Sequence, residues 1–185
     1  MIKKIFLAAL LAISGISITK ADDEAEQIAA IIAAMPVKTG HEAPDFTLKS
    51  LEGADFTLSD LRGKWVVLDF WGSWCRFCVA DLPAMKEAYG KYHDRGLEVV
   101  SIDCGEPEET WKAAVERYKI PWINVYNPGK SKEGVSELYG VKAFPTKIVI
   151  DPEGKVALVF LGEGPEFYEF LQQTFPDAEV SPEAD

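Results

Sequence analysis

Two apolar runs, Trp65–Trp71 and Leu97–Asp103, constrain the fold of this chain more than any other feature. Each is nearly continuous, as in a strand covered on both faces of a parallel sheet, and Asp69 alone interrupts the first run. Between them, Val79–Tyr92 spaces its apolar residues as a helix does. A strand, a helix and a second buried strand form a parallel crossover unit. The sequence therefore predicts an α/β protein.

The remaining patterns add a β-hairpin on either side of this unit. Phe46–Leu51 and Asp55–Leu58 alternate apolar and polar residues around a turn, which predicts an N-terminal hairpin. Thr146–Asp151 and Val156–Leu161 flank a Pro-Glu-Gly turn and predict a second one. We therefore expect a central mixed β-sheet flanked by helices. The other predicted elements are a helix over 24–35, helices over Pro107–Tyr118, Ser131–Tyr139 and Pro165–Phe175, and a strand over Trp122–Tyr126.

The N-terminus has the pattern of a secretory signal peptide. Lys3 and Lys4 precede an apolar run, Ile5–Ile18, and acidic residues follow it. At the helical rise this run spans about 21 Å, less than the roughly 30 Å hydrocarbon core, which favours cleavage over a membrane anchor. We expect cleavage after Ala21, with Ser17 as the alternative, and an exported, periplasmic protein. The predicted organisation is a signal peptide (1–21), a helical lead-in (22–40), one domain (41–175) and an acidic flexible tail (176–185).

Charge and cysteine content narrow the function classes. The chain carries a net charge of −11, with acids spread along its length, which argues against nucleic acid as a partner. Its 48% hydrophobic residues suffice for one buried core. Three cysteines are too few for a disulfide scaffold or for an all-cysteine zinc site.

The chemistry is predicted at Cys75 and Cys78, which follow a buried strand and open a helix. Unpaired backbone N–H groups and the helix dipole at that position stabilise a thiolate. We expect Cys75 to be the nucleophile and Cys78 the resolving thiol. The alternatives are a structural disulfide, or half a zinc site completed by His41, His93 or Cys104. A metal is not expected, because the chain lacks a second paired ligand element.

The sequence around these cysteines resembles the thioredoxin superfamily. The resemblance rests on Val67–Cys78, on Asp81-Leu82-Pro83 and on Phe144-Pro145-Thr146. Ala43–Leu48 and Leu61–Lys64 are similar to the exported TlpA/ResA-like branch. The resemblance implies a thioredoxin-like fold with an inserted helix and strand. It also implies a thiol-disulfide oxidoreductase without a cofactor other than its redox-active disulfide, acting on protein thiols and disulfides together with an unidentified redox partner protein.

The same resemblance implies a substrate surface around the cysteines. Pro145 would be a cis-proline facing the disulfide, beside backbone that pairs with a substrate strand. Trp74 adjoins the nucleophile and is expected on that surface, as is Phe144. Phe77 stands where the family usually has proline.

Two further departures from the family pattern concern charge near the cysteines. Arg76 places a cation beside the nucleophile, and Asp81 stands where the branch often has glutamate. The cation favours the thiolate and the carboxyl disfavours it.

Two acids complete the predicted site. Asp69 lies in an otherwise apolar strand, so burial should raise its pKa. It is a candidate acceptor for the Cys78 proton, with a hydrogen-bonded core acid as the alternative. Asp103 ends the neighbouring strand beside Trp71, and we expect its carboxylate to accept a hydrogen bond from the Trp71 indole, as the resemblance also implies.

Three functions compete at this stage. The first is a thiol-disulfide oxidoreductase with a reducing-type cysteine pair. The second is a peroxiredoxin-like thiol peroxidase, whose peroxidatic cysteine normally has Thr or Ser three residues before it, where this chain has Gly72. The third is a noncatalytic or metal-handling thioredoxin-fold binding module, against which the absence of Met or His near the cysteine pair argues.

Overall fold

The computed structural model of the protein describes residues 20–129 and 134–176. The chain divides into two compact units between Ala33 and Ala34. Helix α1, Lys20–Ala34, supplies the described part of the first unit, in the region of the predicted lead-in. The predicted signal peptide lies outside the described residues except at 20 and 21, and the predicted tail lies outside them except at 176.

The second unit is built on one mixed sheet of seven strands. Their order across the sheet is β2-β1-β5-β4-β3-β6-β7. The strands are β1 Thr47–Ser50, β2 Asp55–Thr57, β3 Trp65–Trp71, β4 Leu97–Asp103, β5 Ile123–Tyr126, β6 Thr146–Ile150 and β7 Val156–Leu161. The helices are α2 Arg76–Tyr92, α3 Glu108–Tyr118, α4 Val135–Tyr139 and α5 Pro165–Thr174, with short 3₁₀ turns at Leu58–Leu61 and His93–Arg95.

Strand directions match the predicted α/β arrangement. Strand β4 runs parallel to both β3 and β5, and β6 is antiparallel to β3 and β7. The N-terminal hairpin joins the sheet through β5, which pairs antiparallel with β1. The expected helix and strand insertion is therefore the α3–β5 segment. The prediction of a central mixed sheet flanked by helices is confirmed.

The three central strands are apolar because both of their faces are covered. β4 is buried along its whole length, and so is β6, while β3 is buried from Val66 onwards. One apolar cluster holds Trp71, Cys75 and Cys78 together with residues of α2, α3 and α5. The cysteine pair thus lies at the edge of the hydrophobic core.

The main departure from the sequence-based boundaries is the start of α2. The pattern predicted a helix from Val79, whereas the helix begins at Arg76. Cys75 is its N-cap and takes the place of the Ser, Thr, Asp or Asn that usually marks such a start. Within residues 20–129 and 134–176, no helix is both long and apolar enough to cross a membrane.

Candidate active site

The two cysteines of the C-x-x-C segment form a disulfide at the N-terminus of α2. Their Cα atoms are 5.3 Å apart. Cys75 is 5% exposed and Cys78 4%, so both sulfurs lie just under the surface. The backbone N–H of Cys78 donates to Cys75 Sγ over 3.2 Å. This N–H belongs to the first turn of α2 and has no partner within the helix, so it would stabilise a negative charge on the Cys75 sulfur.

The turn before Cys75 is held by a buried glutamate. The backbone N–H and the hydroxyl of Ser73 both donate to the carboxylate of Glu106, each over 2.5 Å. Glu106 is 6% exposed and follows β4. Gly72 is required in the same turn, since a Cβ there would lie 2.4 Å from the Trp74 indole nitrogen. That nitrogen donates to the Cys104 carbonyl over 3.0 Å, which fixes the ring.

Aromatic side chains surround the disulfide on its solvent side. Trp74 and Phe77 are 53% and 52% exposed. The ring of Trp74 meets that of Phe144 edge to face, with centroids 5.3 Å apart. The Phe144–Pro145 peptide bond is cis, and Pro145 is buried at the start of β6. The structure thus brings the predicted substrate residues Trp74 and Phe144 into contact next to the nucleophile.

Arg76, between the two cysteines, is exposed to solvent. Its guanidinium lies 6.0 Å from the centre of the Phe77 ring. Screening by water and salt weakens its field at the sulfurs.

Asp69 is buried in the middle of β3, 5% exposed. The hydroxyl of Ser101 donates to its Oδ2 over 3.0 Å, and the Trp122 indole donates to the Ser101 oxygen over 2.8 Å. Burial raises the pKa of Asp69 above its ordinary value of 3.8, while Lys147 and the Ser101 hydrogen bond oppose that rise. The expected direction of this pKa shift is confirmed.

Asp81 belongs to a buried charge cluster made of Asp69, Asp81, Lys147 and Tyr168. The ammonium of Lys147 lies 2.7 Å from Asp81 Oδ2, and the Tyr168 hydroxyl donates to Asp81 Oδ1 over 2.7 Å. Lys147 pairs across β3 and β6 with Asp69. The expectation that the Asp81 carboxyl disfavours the thiolate did not include this pairing, which engages both of its oxygens and offsets its charge.

The predicted hydrogen bond between Trp71 and Asp103 is wrong. The two residues are register partners in the parallel pair of β3 and β4. Nevertheless, the Trp71 indole nitrogen and both Asp103 carboxylate oxygens are buried without a hydrogen-bond partner. Register fixes the Cα positions but not the side-chain rotamers, and the Trp71 ring packs into the apolar cluster with Cys75 and Cys78.

Cys104 is a buried free thiol that takes no part in the disulfide. It is fully buried, and its sulfur lies 3.3 Å from the Ser136 hydroxyl. Burial raises the pKa of Cys104 to about 12, which keeps it protonated at neutral pH. Across 20–129 and 134–176, no three His, Cys, Asp or Glu side chains are grouped to hold a metal ion.

Sequence reasoning missed two residues of the site, Glu106 and Lys147. Glu106 sits in a loop whose packing against Ser73 no local pattern reveals. Lys147 had a signal, because it stands in an otherwise apolar predicted strand. A buried lysine there needs an acidic partner, which the structure supplies as Asp81.

Comparisons with known proteins agree with this geometry. Residues 39–159 match the model of the AhpC/TSA family. The chain belongs to this family. The chain is 38% identical to the thiol-disulfide oxidoreductase ResA of Bacillus thuringiensis over 127 residues, 69% of this chain and 72% of that protein. It is 34% identical over 143 residues to ResA of Halalkalibacterium halodurans, 76% of this chain and 80% of that protein.

Solved structures in the comparison share the fold. A thiol:disulfide interchange protein from Bacteroides sp. superposes with a TM-score of 0.69 at 31% identity, covering 78% of this chain and 94% of that one. The thioredoxin domain of a thiol-disulfide oxidoreductase from Bacteroides vulgatus gives 0.67 at 32% identity, covering 75% of this chain and 98% of that one. The predicted thioredoxin-like fold and the resemblance to the ResA-like branch are confirmed. So is the prediction that this AhpC/TSA family member is a thiol-disulfide oxidoreductase.

Proposed function

We propose that this protein reduces or exchanges disulfides of exported proteins through the Cys75/Cys78 dithiol. The observation that carries the proposal is the position of Cys75, whose sulfur caps α2, accepts the Cys78 N–H and lies bonded to Cys78 under an aromatic surface. The N-terminal signal pattern supports an exported, periplasmic location. Oxidation is the default there, so a reductase needs a redox partner protein as its dithiol donor. The disulfide itself is the only redox group required.

The proposed reaction has two exchange steps. The Cys75 thiolate attacks a substrate disulfide, forms a mixed disulfide and releases the first substrate thiolate. Cys78 then loses its proton, and its thiolate attacks the Cys75 sulfur. The Cys75–Cys78 disulfide forms, and the second substrate thiolate leaves and takes up a proton. Two electrons pass from the dithiol to the substrate disulfide.

Asp69 is the proposed acceptor of the Cys78 proton. It is an acid in the apolar strand that leads to the cysteines, and its raised pKa brings it closer to neutral pH. Asp81 is less suited to this role, because Lys147 and Tyr168 engage its two oxygens.

The proposed substrate surface consists of Trp74, Phe77 and Phe144 beside Pro145. The half-exposed rings of Trp74 and Phe77 flank the cysteines and offer apolar area to a substrate. This favours substrates in which apolar side chains adjoin the reactive cysteine. Arg76 adds a solvent-exposed cation to the same surface.

Trapping experiments test the assignment of the two cysteines. C78S should accumulate a mixed disulfide with a model disulfide substrate such as insulin, because the resolving thiol is gone. C75S should accumulate none. The adducts are counted by mass spectrometry of the intact protein after acid quenching. Equal trapping by the two variants would overturn the assignment.

A peroxide control separates the proposal from the thiol peroxidase alternative. We expect the reduced wild-type protein to be oxidised much faster by insulin than by hydrogen peroxide at equal concentration. Faster oxidation by peroxide would favour the peroxidase.

A further inference from the structure

Lys147 is a buried lysine that the proposed mechanism has not yet used. It is 1% exposed, and it lies in β6 two residues after Pro145. Lysine is almost never fully buried unless it is paired. Its ammonium lies 2.7 Å from Asp81 Oδ2 and 5.3 Å from the centre of the Phe167 ring. The Asp81 carboxylate therefore compensates the buried charge of Lys147.

Lys147 faces two acids from two different elements. Asp81 reaches it from α2, as an ion pair. Asp69 is its register partner across the antiparallel pair β3 and β6, so the two side chains emerge on the same face of the sheet. Asp81 also accepts a hydrogen bond from Tyr168 on α5, whereas Asp69 accepts one from Ser101 on β4.

We propose that Lys147 is a positioning residue that divides the roles of the two acids, holding Asp81 as its ion-pair partner and keeping Asp69 available for proton exchange with Cys78. The proposal rests on the proposed function, in which Asp69 accepts that proton. Lys147 changes no covalent bond. It supplies the positive charge that offsets the negative charge of Asp81 next to the buried Asp69.

The electrostatics set the direction of the effect. Burial raises the pKa of Asp69, Lys147 lowers it, and the negative charge of Asp81 raises it. Without Lys147, the negative charge of Asp81 would act on Asp69 unopposed, and neighbouring carboxyls tend to share one proton. The pKa of Asp69 would then rise further, and the pH range in which its carboxylate can accept the Cys78 proton would shift upward.

Two further titratable groups around Asp69, Tyr168 and Cys104, do not ionise near neutral pH. Burial and Asp81 raise the pKa of Tyr168 far above its ordinary value of 10. Burial raises the pKa of Cys104 to about 12. Asp103 is the exception, because it lies two residues after Ser101 in β4 and burial raises its pKa to about 7.

The direct test is the titration of the Asp69 carboxyl in the reduced protein, followed by carbon NMR of the side-chain carboxyl from pH 5 to 10. K147M replaces the lysine by a neutral side chain of similar length. In this variant the midpoint of the Asp69 titration should rise by about one to three pH units, which is the size of shift that a nearby opposite charge produces. K147R keeps the charge and should restore the midpoint toward the wild-type value. D81N removes the opposing negative charge and should lower the midpoint.

The Asp69 midpoint should rise in K147M and fall in D81N. These opposite shifts separate the proposal from a merely structural role, since damage to packing would not move the two midpoints in opposite directions. An unchanged midpoint in folded K147M would overturn the proposal. If K147M does not fold, D81N alone tests the proposal. An Asp69 midpoint that is unchanged or higher in D81N would then overturn the proposal.

A kinetic arm separates this proposal from the proposed function. The rate of release of the second substrate thiol is followed against pH in single turnovers of the same variants. The acid limb of that profile should shift with the Asp69 midpoint, and D69N should lose at least tenfold in rate near pH 7. Midpoints that move as expected while D69N keeps the wild-type rate would refute the acceptor role of Asp69 and leave the electrostatic role of Lys147 intact.

Discussion

Replacing Asp103 by asparagine tests how much stability a buried charge costs at the end of β4. Asp103 is fully buried, and neither of its carboxylate oxygens has a hydrogen-bond partner among the residues that the structure describes. Burial, followed by the negative charge of Glu106, raises the pKa of Asp103 from 3.8 to about 7. The backbone of Glu106 and of Cys104 acts in the opposite direction and lowers the pKa of Asp103.

The magnitude follows from the two pKa values. The unfolded chain ionises this carboxyl near pH 4, whereas the folded protein holds the proton until about pH 7. Between these values the folded state binds more protons, so the free energy of unfolding falls as pH rises. Each pKa unit is worth about 1.4 kcal/mol, which gives a loss of about 4 kcal/mol above pH 7 and none below pH 4. Asparagine keeps the shape of the side chain and cannot ionise.

The assay is urea unfolding of the oxidised protein, followed by far-ultraviolet circular dichroism at pH 4 and pH 8. The stability of D103N relative to wild type should increase by about 4 kcal/mol from pH 4 to pH 8. The matched control is D60N, an exposed aspartate, whose difference from wild type should not change with pH. A D103N difference that is the same at both pH values would refute the reasoning.

Three further predictions concern the surface around the cysteines. G72A should push the Trp74 indole off the Cys104 carbonyl, changing the near-ultraviolet circular dichroism and slowing substrate trapping by C78S on the order of tenfold; unchanged spectra would contradict this. W74A should raise the KM for insulin about tenfold with little change in kcat, because half an indole face of binding area is lost; a loss confined to kcat would assign Trp74 a different role. R76A should lower the reduction potential by less than about 30 mV, and the difference should shrink in high salt, because Arg76 is exposed.

Periodicity predicted much of the fold because the central strands are apolar on both faces. The bounds of β4 and β7 match the sequence-based strands Leu97–Asp103 and Val156–Leu161. The start of α2 was missed because a cysteine sulfur, which propensity does not mark as a cap, takes the N-cap position.

Polar contacts between distant segments were harder to predict. The placement of Cys75, Cys78 and Asp69 followed from local sequence, since each lies in or beside one strand. The Lys147–Asp81 ion pair joins a strand to a helix 66 positions earlier, and the expected Trp71–Asp103 hydrogen bond failed because neighbouring backbones do not dictate rotamers. Such contacts depend on how the layers of the fold pack together.

The reduction potential of the Cys75/Cys78 pair tests the central claim most directly. An oxidase needs an unusually stabilised thiolate. In this protein the charge of Lys147 is paired with Asp81 and Arg76 is exposed to solvent, so neither cation stabilises the Cys75 thiolate strongly. The start of α2 stabilises that thiolate through the Cys78 N–H.

We therefore predict a potential nearer to about −270 mV, the thioredoxin value, than to about −120 mV, the value of a strong periplasmic oxidant. The protein is equilibrated with glutathione buffers and the free thiols are then counted after alkylation. In a mildly oxidising mixture the pair should be almost entirely disulfide. A pair that stays largely reduced in the same mixture would identify an oxidase and contradict the account.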